Sequence, residues 1–379
     1  MEENLKKKKN TLKTKLVIII FLAIMILSCS ENNPTEPSSN GYWKQYLFED
    51  PYNNFVTNGL AIDNQFYCTG MNGISMFTDF ETNPQMKYIW YISTGYDSKP
   101  IISKKYTAFF KESSETNIGF SNYFTQDGNV TSVSPASFGE QFKDYKFSFI
   151  TTKREFGAIN NQNRFVTTIS NRSGMVADTT YIVYADFDFN DGISISNTGF
   201  WEIPSMISTP INEKAFKSYN GKFYISYSRE FSPNNYFIEI SENGEIKEYI
   251  NHFGASYEHG VMSFFEYKGY LCAQKGDFEM IYSSDGENWQ HMASLEPLIS
   301  DFKEIGNYLF IYLNDKIYCL GDNINELKLY QIPTENITGR TISSINKFND
   351  ELIITTSNGI FHKSFSEIMK DKELIRGIN

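Results

Sequence analysis

The sequence predicts an all-β body folded as a single β-propeller, and three observations lead there. Aromatic residues make up 16% of the chain, with 32 Phe and 25 Tyr, and such residues favour strands. Helical periodicity is missing except in Ser366 to Ile378, which reads as a helix. A unit of apolar strand, short polar turn, alternating aromatic strand, turn and strand recurs along the chain.

The first turn of each unit falls near Asn64, Lys104, Gln162, Asn220, Lys268, Gly306 and Asn349, at steps of 38 to 58 residues. Propeller blades of four antiparallel strands run about 40 to 50 residues each. Seven such blades fit the length, and six fit if one unit has been divided. The ends complement each other. The last unit offers strands near 342–346, 351–356 and 360–365 but no fourth. Tyr42 to Phe48 (YWKQYLF) precedes the first unit without a partner there. If it completes the last blade, both termini close the ring and no sheet edge is left open.

The N-terminus has a different plan. Lys6, Lys7, Lys8, Lys9, Lys13 and Lys15 precede an unbroken apolar run, Leu16 to Leu27, followed by Ser28 and Cys29. Basic, apolar, small is the order of a secretory signal. The run is too short for a membrane span, which needs about 20 residues. Residues 30–40 (SENNPTEPSSN) hold no apolar side chain and have the composition of a solvated tether. The predicted division is signal peptide 1–28, lipidated cysteine and tether 29–40, and propeller 41–379.

Ile26-Leu27-Ser28-Cys29 resembles the lipobox of bacterial lipoproteins, with Ile where Leu is commonest. The resemblance implies a diacylglyceryl group on Cys29, cleavage before it, and acylation of the new amine by a chain such as palmitate. It also implies a protein held to a membrane by lipid. The residue after Cys29 is Ser30 rather than Asp, which favours the outer membrane of the cell envelope, on either its periplasmic or its surface side.

Charge narrows the partners. The chain carries 34 basic and 45 acidic residues, and residues 1–28 hold six Lys and two Glu, so the remainder has a net charge of −15. That excludes nucleic acid and anionic membrane surfaces as natural partners. Cys68, Cys272 and Cys319 each sit in an apolar strand-like run and read as small buried hydrophobes.

Ser283-Ser284-Asp285-Gly286-Glu287-Asn288-Trp289 resembles the Asp-box of sialidase-like propellers. The resemblance places it at the hairpin joining the outer two strands of a blade. Gly286 supplies a positive φ, Asp285 accepts turn amides, Ser283 ties the strand end, and Trp289 packs beside the turn, buried between blades. Thr125 to Gly128 and Ser241 to Gly244 share the outline without the Trp. In those families the box is structural and peripheral.

A sialidase would need three arginines, one in Arg-Ile-Pro near the first blade. The arginines are Arg154, Arg164, Arg172, Arg229, Arg340 and Arg376, and none precedes Ile-Pro. Asp186, Asp188 and Asp191 alternate along one strand and turn, Asp186 and Asp188 on one face, and read as a solvated face with an Asx turn. A calcium site with Asn190 is the other reading. His252 and His259 flank an irregular loop and lack a third ligand. No metal or cofactor motif and no catalytic residue set stands out. The expected function is therefore a non-catalytic lipoprotein binding a protein or glycan. A polysaccharide hydrolase or lyase with a carboxylate pair in the channel, and an envelope assembly factor, are the alternatives.

Overall fold

Apolar strands separated by turns that demand positive φ fold as antiparallel hairpins, and seven antiparallel sheets form among the described residues of the computed structural model. The structure describes residues 42–49, 54, 56, 58–62, 64–70, 73–82, 84–87, 101–102, 107–111, 118–122, 131–147, 157–173, 176–188, 194–203, 211–229, 234–254, 260–295, 301–324, 326–337 and 340–378. Cys29 and the two segments before and after it, 1–28 and 30–40, lie outside them. Met1–Lys44 is one unit and Gln45–Asn379 another, and the sheets belong to the second.

The chain opens with strand β1 (Lys44–Tyr46). Sheet I holds β2 (Asn58–Ile62), β3 (Gln65–Gly70), β4 (Gly73–Phe77) and β5 (Gln85–Lys87). Sheet II holds β6 (Ile101–Ile102), β7 (Thr107–Lys111), β8 (Ile118–Asn122) and β9 (Thr131–Val133). In sheet III, β10 (Lys146–Phe147) and β11 (Gly157–Ile159) share one edge of β12 (Arg164–Ser173), followed by β13 (Val176–Asp188) and β14 (Ser194–Trp201). Sheet IV is β15 (Ile211–Tyr219), β16 (Lys222–Arg229), β17 (Asn235–Ile240) and β18 (Ile246–Ile250). Sheet V is β19 (Val261–Tyr267), β20 (Tyr270–Lys275), β21 (Glu279–Ser283) and β22 (Gln290–Ser294). Sheet VI is β23 (Asp301–Ile305), β24 (Tyr308–Leu313), β25 (Lys316–Asn323) and β26 (Glu326–Ile332). Sheet VII is β27 (Ile342–Phe348), β28 (Glu351–Thr356) and β29 (Gly359–Ser364). Helix α1 (Phe365–Asp371) and β30 (Glu373–Ile378) come last.

In sheets I, IV, V, VI and VII the predicted turn falls between the first two strands, and Gln162 falls between β11 and β12. Asn220 (φ 49°) and Gly221 (79°) join β15 to β16, and Lys268 (52°) and Gly269 (76°) join β19 to β20. Two-residue loops with both φ positive match the twist of the flanking strands. Asn349 (φ 53°) and Gly306 (61°) serve the same position in sheets VII and VI. Lys104 lies outside the described residues.

First strands adjoin in a row: β6 with β11, then β15, β19, β23, β27 and finally β2. Sheets III to VII therefore each lie between two others. Their second strands are deeply buried: every residue of Phe223–Ser228 in β16 and Leu352–Thr356 in β28 is buried. Tyrosines ending the first strands link neighbours: the Tyr219 hydroxyl donates to Gly269 O (2.5 Å) and the Tyr267 hydroxyl to Asn307 O (3.1 Å).

Strand β1 occupies the fourth place of sheet VII, beside β29, where the sequence leaves a strand missing. Tyr46 also meets the sheet I side: its ring lies 5.1 Å from Phe77 at 89°. First and last sheets thus share one core of Phe48, Val56, Phe66, Phe77, Phe348 and Ile353.

The C-terminal helix is shorter than predicted. It ends at Asp371, Lys372 is extended, and Glu373–Ile378 pairs with β26 as a fifth strand of sheet VI. Two Ile and a Gly make this stretch a poor helix, and the unpaired edge of β26 offers a ladder instead.

Cys68, Cys272 and Cys319 are buried and unpaired, and burial pushes each thiol up to about 12. A thiol reagent at pH 8 is expected to leave all three untouched in the native protein and to label all three in 6 M guanidinium. Native labelling of any of them would contradict the packing described.

Candidate functional site

The turn from Ser283 to Trp289 joins β21 to β22, the outer hairpin of sheet V. Ser283 is buried, and its Oγ accepts the Gly286 amide at 2.9 Å and donates to Asp285 Oδ1 at 2.9 Å. Asp285 Oδ1 also accepts the amides of Glu287 and Asn288, both at 2.8 Å. The Asn288 side-chain amide donates to Asp285 Oδ2 at 2.7 Å. The Asn288 donors, followed by the Glu287 amide, hold the Asp285 carboxyl well below the usual range. Trp289 Nε1 donates to Gly286 O at 2.9 Å, so the ring folds back over its own turn.

This turn docks on sheet IV. The Tyr224 hydroxyl donates to Asp285 O at 3.2 Å, and Lys247 Nζ meets Glu287 Oε1 at 2.9 Å. Gly286 has φ 82°, and a Cβ there would lie 2.1 Å from Tyr224 Oη. Trp289 meets Phe253 (5.4 Å, 88°) and Phe237 (6.1 Å, 86°) edge to face. It is partly rather than fully buried, because the turn sits at the outer rim of the interface. His252, one of the two predicted loop histidines, stacks on Phe237 at 5.6 Å, and burial lowers its pKa. It is a packing residue in this interface; His259 lies outside the described residues.

Ser241 to Gly244 repeats the arrangement one sheet earlier. Gly244 (φ 85°) sits over Trp201 of sheet III, 3.4 Å from a built Cβ to the indole nitrogen, and Ser241 Oγ accepts the Glu245 amide at 2.9 Å. Trp201 of the preceding sheet thus meets Gly244 as Tyr224 meets Gly286. Residues 125–128 lie outside the described residues.

A second polar region joins the starts of β23 and β27 to sheet I. The buried Tyr312 hydroxyl donates to Asp301 Oδ2 and Ser343 O, both at 2.9 Å. Ser343 Oγ donates to Val56 O (2.6 Å) and meets Thr355 Oγ1 (2.8 Å). Ser344 Oγ also meets Thr355 Oγ1 (2.6 Å), and Asn346 Nδ2 donates to Gly59 O (2.8 Å). Tyr312 is pushed well above the ordinary phenol range, first by burial and then by Asp301.

Asp186 is not on a solvated face. Arg164 holds it through two hydrogen bonds, Nε to Oδ1 at 2.6 Å and Nη2 to Oδ2 at 2.9 Å, and Asn197 donates to it at 3.0 Å. A register shift after Asp186 separates its surroundings from those of exposed Asp188. Asn190 and Asp191 lie outside the described residues. Of the six arginines only Arg164 and Arg340 have described side chains; Arg164 opens β12, and Arg340 lies in the segment before β27. Among the described residues no three His, Cys, Asp or Glu side chains gather at metal-binding distance. The docking tyrosines, Tyr219 and Tyr224, escape sequence reading because their partners are 50 and 61 residues away.

No protein-family model matches the chain, and no curated protein matches it. Solved structures do. A streptogramin B lyase structure has 12% identity and a TM-score of 0.53, over 88% of this chain and 98% of that one. A catalytically inactive virginiamycin B lyase from Staphylococcus aureus, with quinupristin, has 11% identity and a TM-score of 0.55, over 84% and 97%. The WD40 domain of Neurospora crassa Pan2 has 9% identity and a TM-score of 0.50, over 84% and 94%. The body is a β-propeller. At these identities the likeness is one of fold.

The sheet IV–V interface can be tested at two residues. Trp289→Ala is expected to cost about 2 kcal/mol, less than a fully buried Trp because the ring is partly exposed. Gly286→Ala should cost more than about 2 kcal/mol, since αL strain adds to displacement of Tyr224. Urea unfolding measures both, and losses below about 0.5 kcal/mol would remove the docking role.

His252 gives a pH dependence. Its folded pKa is depressed, so the unfolded chain takes up the proton first as pH falls below about 6.5. Stability from this residue is full above that pH and declines below it. The melting temperature should fall from pH 7 to pH 5 in the wild type, and less in His252→Gln. Equal slopes would show that His252 does not contribute.

Proposed function

We propose that this chain is a lipid-anchored protein of a bacterial envelope whose propeller binds a protein or glycan partner without catalysing a reaction. Each of the seven sheets is one blade, and β1 closes the ring. The observation that carries the binding reading is how the inner polar side chains are used. Tyr312, Ser343 and Asn346 tie neighbouring blades together, and Asp301, Ser344 and Thr355 hold those three side chains in place. A ring held this way is a rigid frame whose loops can present a recognition surface. The hydrogen bonding of Ser283, Asp285, Gly286 and Trp289 supports reading that turn as a structural Asp-box. The lipobox at Cys29 supports the anchor, and Ser30 supports the outer membrane.

A second reading, an enzyme cleaving polysaccharide, draws on one group. His291 Nδ1 lies 2.9 Å from Glu279 Oε1, and the imidazole is half exposed. A carboxylate-held imidazole is the arrangement of a general base. Lys275 also holds Glu279, so this acid is committed to two partners. Loss of polysaccharide cleavage in His291→Ala, with cleavage by the wild type, would establish the enzyme and displace the binding reading.

The anchor is tested first. Full-length protein expressed with a clickable palmitate analogue should be labelled and should sediment with membranes. Cys29→Ser should be unlabelled and unprocessed. Labelling that survives this substitution would disprove attachment at Cys29.

A further inference from the structure

Two guanidinium groups are described, and their surroundings differ in one component. Arg164 lies over the Tyr184 ring at 4.5 Å and pairs through two nitrogens with Asp186. Arg340 lies over the Phe361 ring at 5.0 Å and makes one hydrogen bond, from Nη1 to Asn358 O at 3.2 Å. Among the described residues no carboxylate pairs with it.

The position is fixed on every other side. Phe361 is 0% exposed, so the aromatic base is part of the core. The Arg340 amide donates to Ile337 O at 3.1 Å, and Ile337 is itself 0% exposed, which pins the turn that carries the arginine. Asn358 O also accepts Gln45 Nε2 at 2.9 Å, so β1 is locked to the same point. Burial lowers the guanidinium pKa with no opposing charge.

A guanidinium has five donors in a fixed fork that fits a carboxylate. Partial desolvation without such a partner is unfavourable for the free protein and strengthens any anion bound there. The chain has an acid surplus of 11 charges, yet none of the described acids pairs with this guanidinium. We propose that Arg340 binds the carboxylate of an acidic ligand, in the place that Asp186 holds at Arg164. This deepens the binding reading above by naming the ligand chemistry, and it rests on that reading.

The test is calorimetric titration of the full chain in detergent with glucuronate, with acetate as the bare carboxylate and glucose as the neutral sugar. Glucuronate should bind, and glucose should not. Arg340→Gln should weaken glucuronate at least about tenfold. Arg340→Lys keeps the charge but loses the fork and should weaken it about threefold. Arg340→Lys also decides the matter if Arg340→Gln melts early. Binding of acetate as well would show that the carboxylate alone suffices. No glucuronate binding by the wild type, or equal binding by both variants, overturns the proposal. The broader reading is separated by capture of purified acidic and neutral envelope glycans. Capture that is indifferent to Arg340→Gln keeps a binder and rejects Arg340. No capture of any glycan, with glucuronate still bound at Arg340, keeps the site and rejects a glycan partner.

Discussion

Sheets III to VII of this body each lie between two neighbours, and that constraint governs the rest. A four-stranded sheet with both faces apolar cannot bury them by itself, so each such sheet depends on its neighbours for stability. The contacts between sheets are correspondingly specific. Tyr219 and Tyr267 reach from the end of one first strand to the opening turn of the next sheet. The Ser283–Trp289 and Ser241–Gly244 turns each lean on the sheet before them. Inner and outer edges of sheet IV are thereby tied to sheet V by polar bonds, while Phe237, Phe253 and Trp289 fill the space between.

The features legible in the sequence are those that depend on neighbours in the chain. Asn220-Gly221 and Lys268-Gly269 declare themselves because few residues tolerate two positive φ values in succession. The internal bonds of Ser283 to Trp289 span at most a few residues and could be inferred from residue types alone. The orphan strand at 42–48 was also readable, since a missing fourth strand and an unpaired first one imply each other. The failures are non-local. The segment after Lys372 reads as helix until the edge of β26 is known to be open. Asp186 reads as solvated until Arg164, 22 residues earlier, is found beside it. The Trp201 beneath Gly244 sits 43 residues away in another sheet, so no local motif contains it.

Blade geometry also places side chains that no repeat search would align. The first strands of sheets IV, V and VII carry the same irregularity near their starts, one extra residue at Asn212, Met262 and Ser343. A bulge bends its strand and re-aims the side chains around it. The backbone is shared, and the residues on it differ. In sheet VII the site holds Ser343, Ser344 and Thr355, which bond to one another and to Val56 O of the segment leading into sheet I.

That difference explains how one sheet recognises another at the seam. Neighbouring sheets elsewhere are joined by continuous chain, which alone fixes who packs on whom. Sheets I and VII are linked along the chain through β1 alone, and apolar cores of Phe and Ile tolerate slippage. Directional bonds do not. Asn346 on Gly59 O and Ser343 on Val56 O are satisfied in one register only, and a slip would leave buried donors unpaired at about 1–3 kcal/mol each. At the corresponding places in sheets IV and V, Ser228 Oγ, Ser263 Oγ and Gln274 Nε2 lack protein partners. Between sheets VII and I, where the covalent chain gives little guidance, buried side-chain bonds set the register.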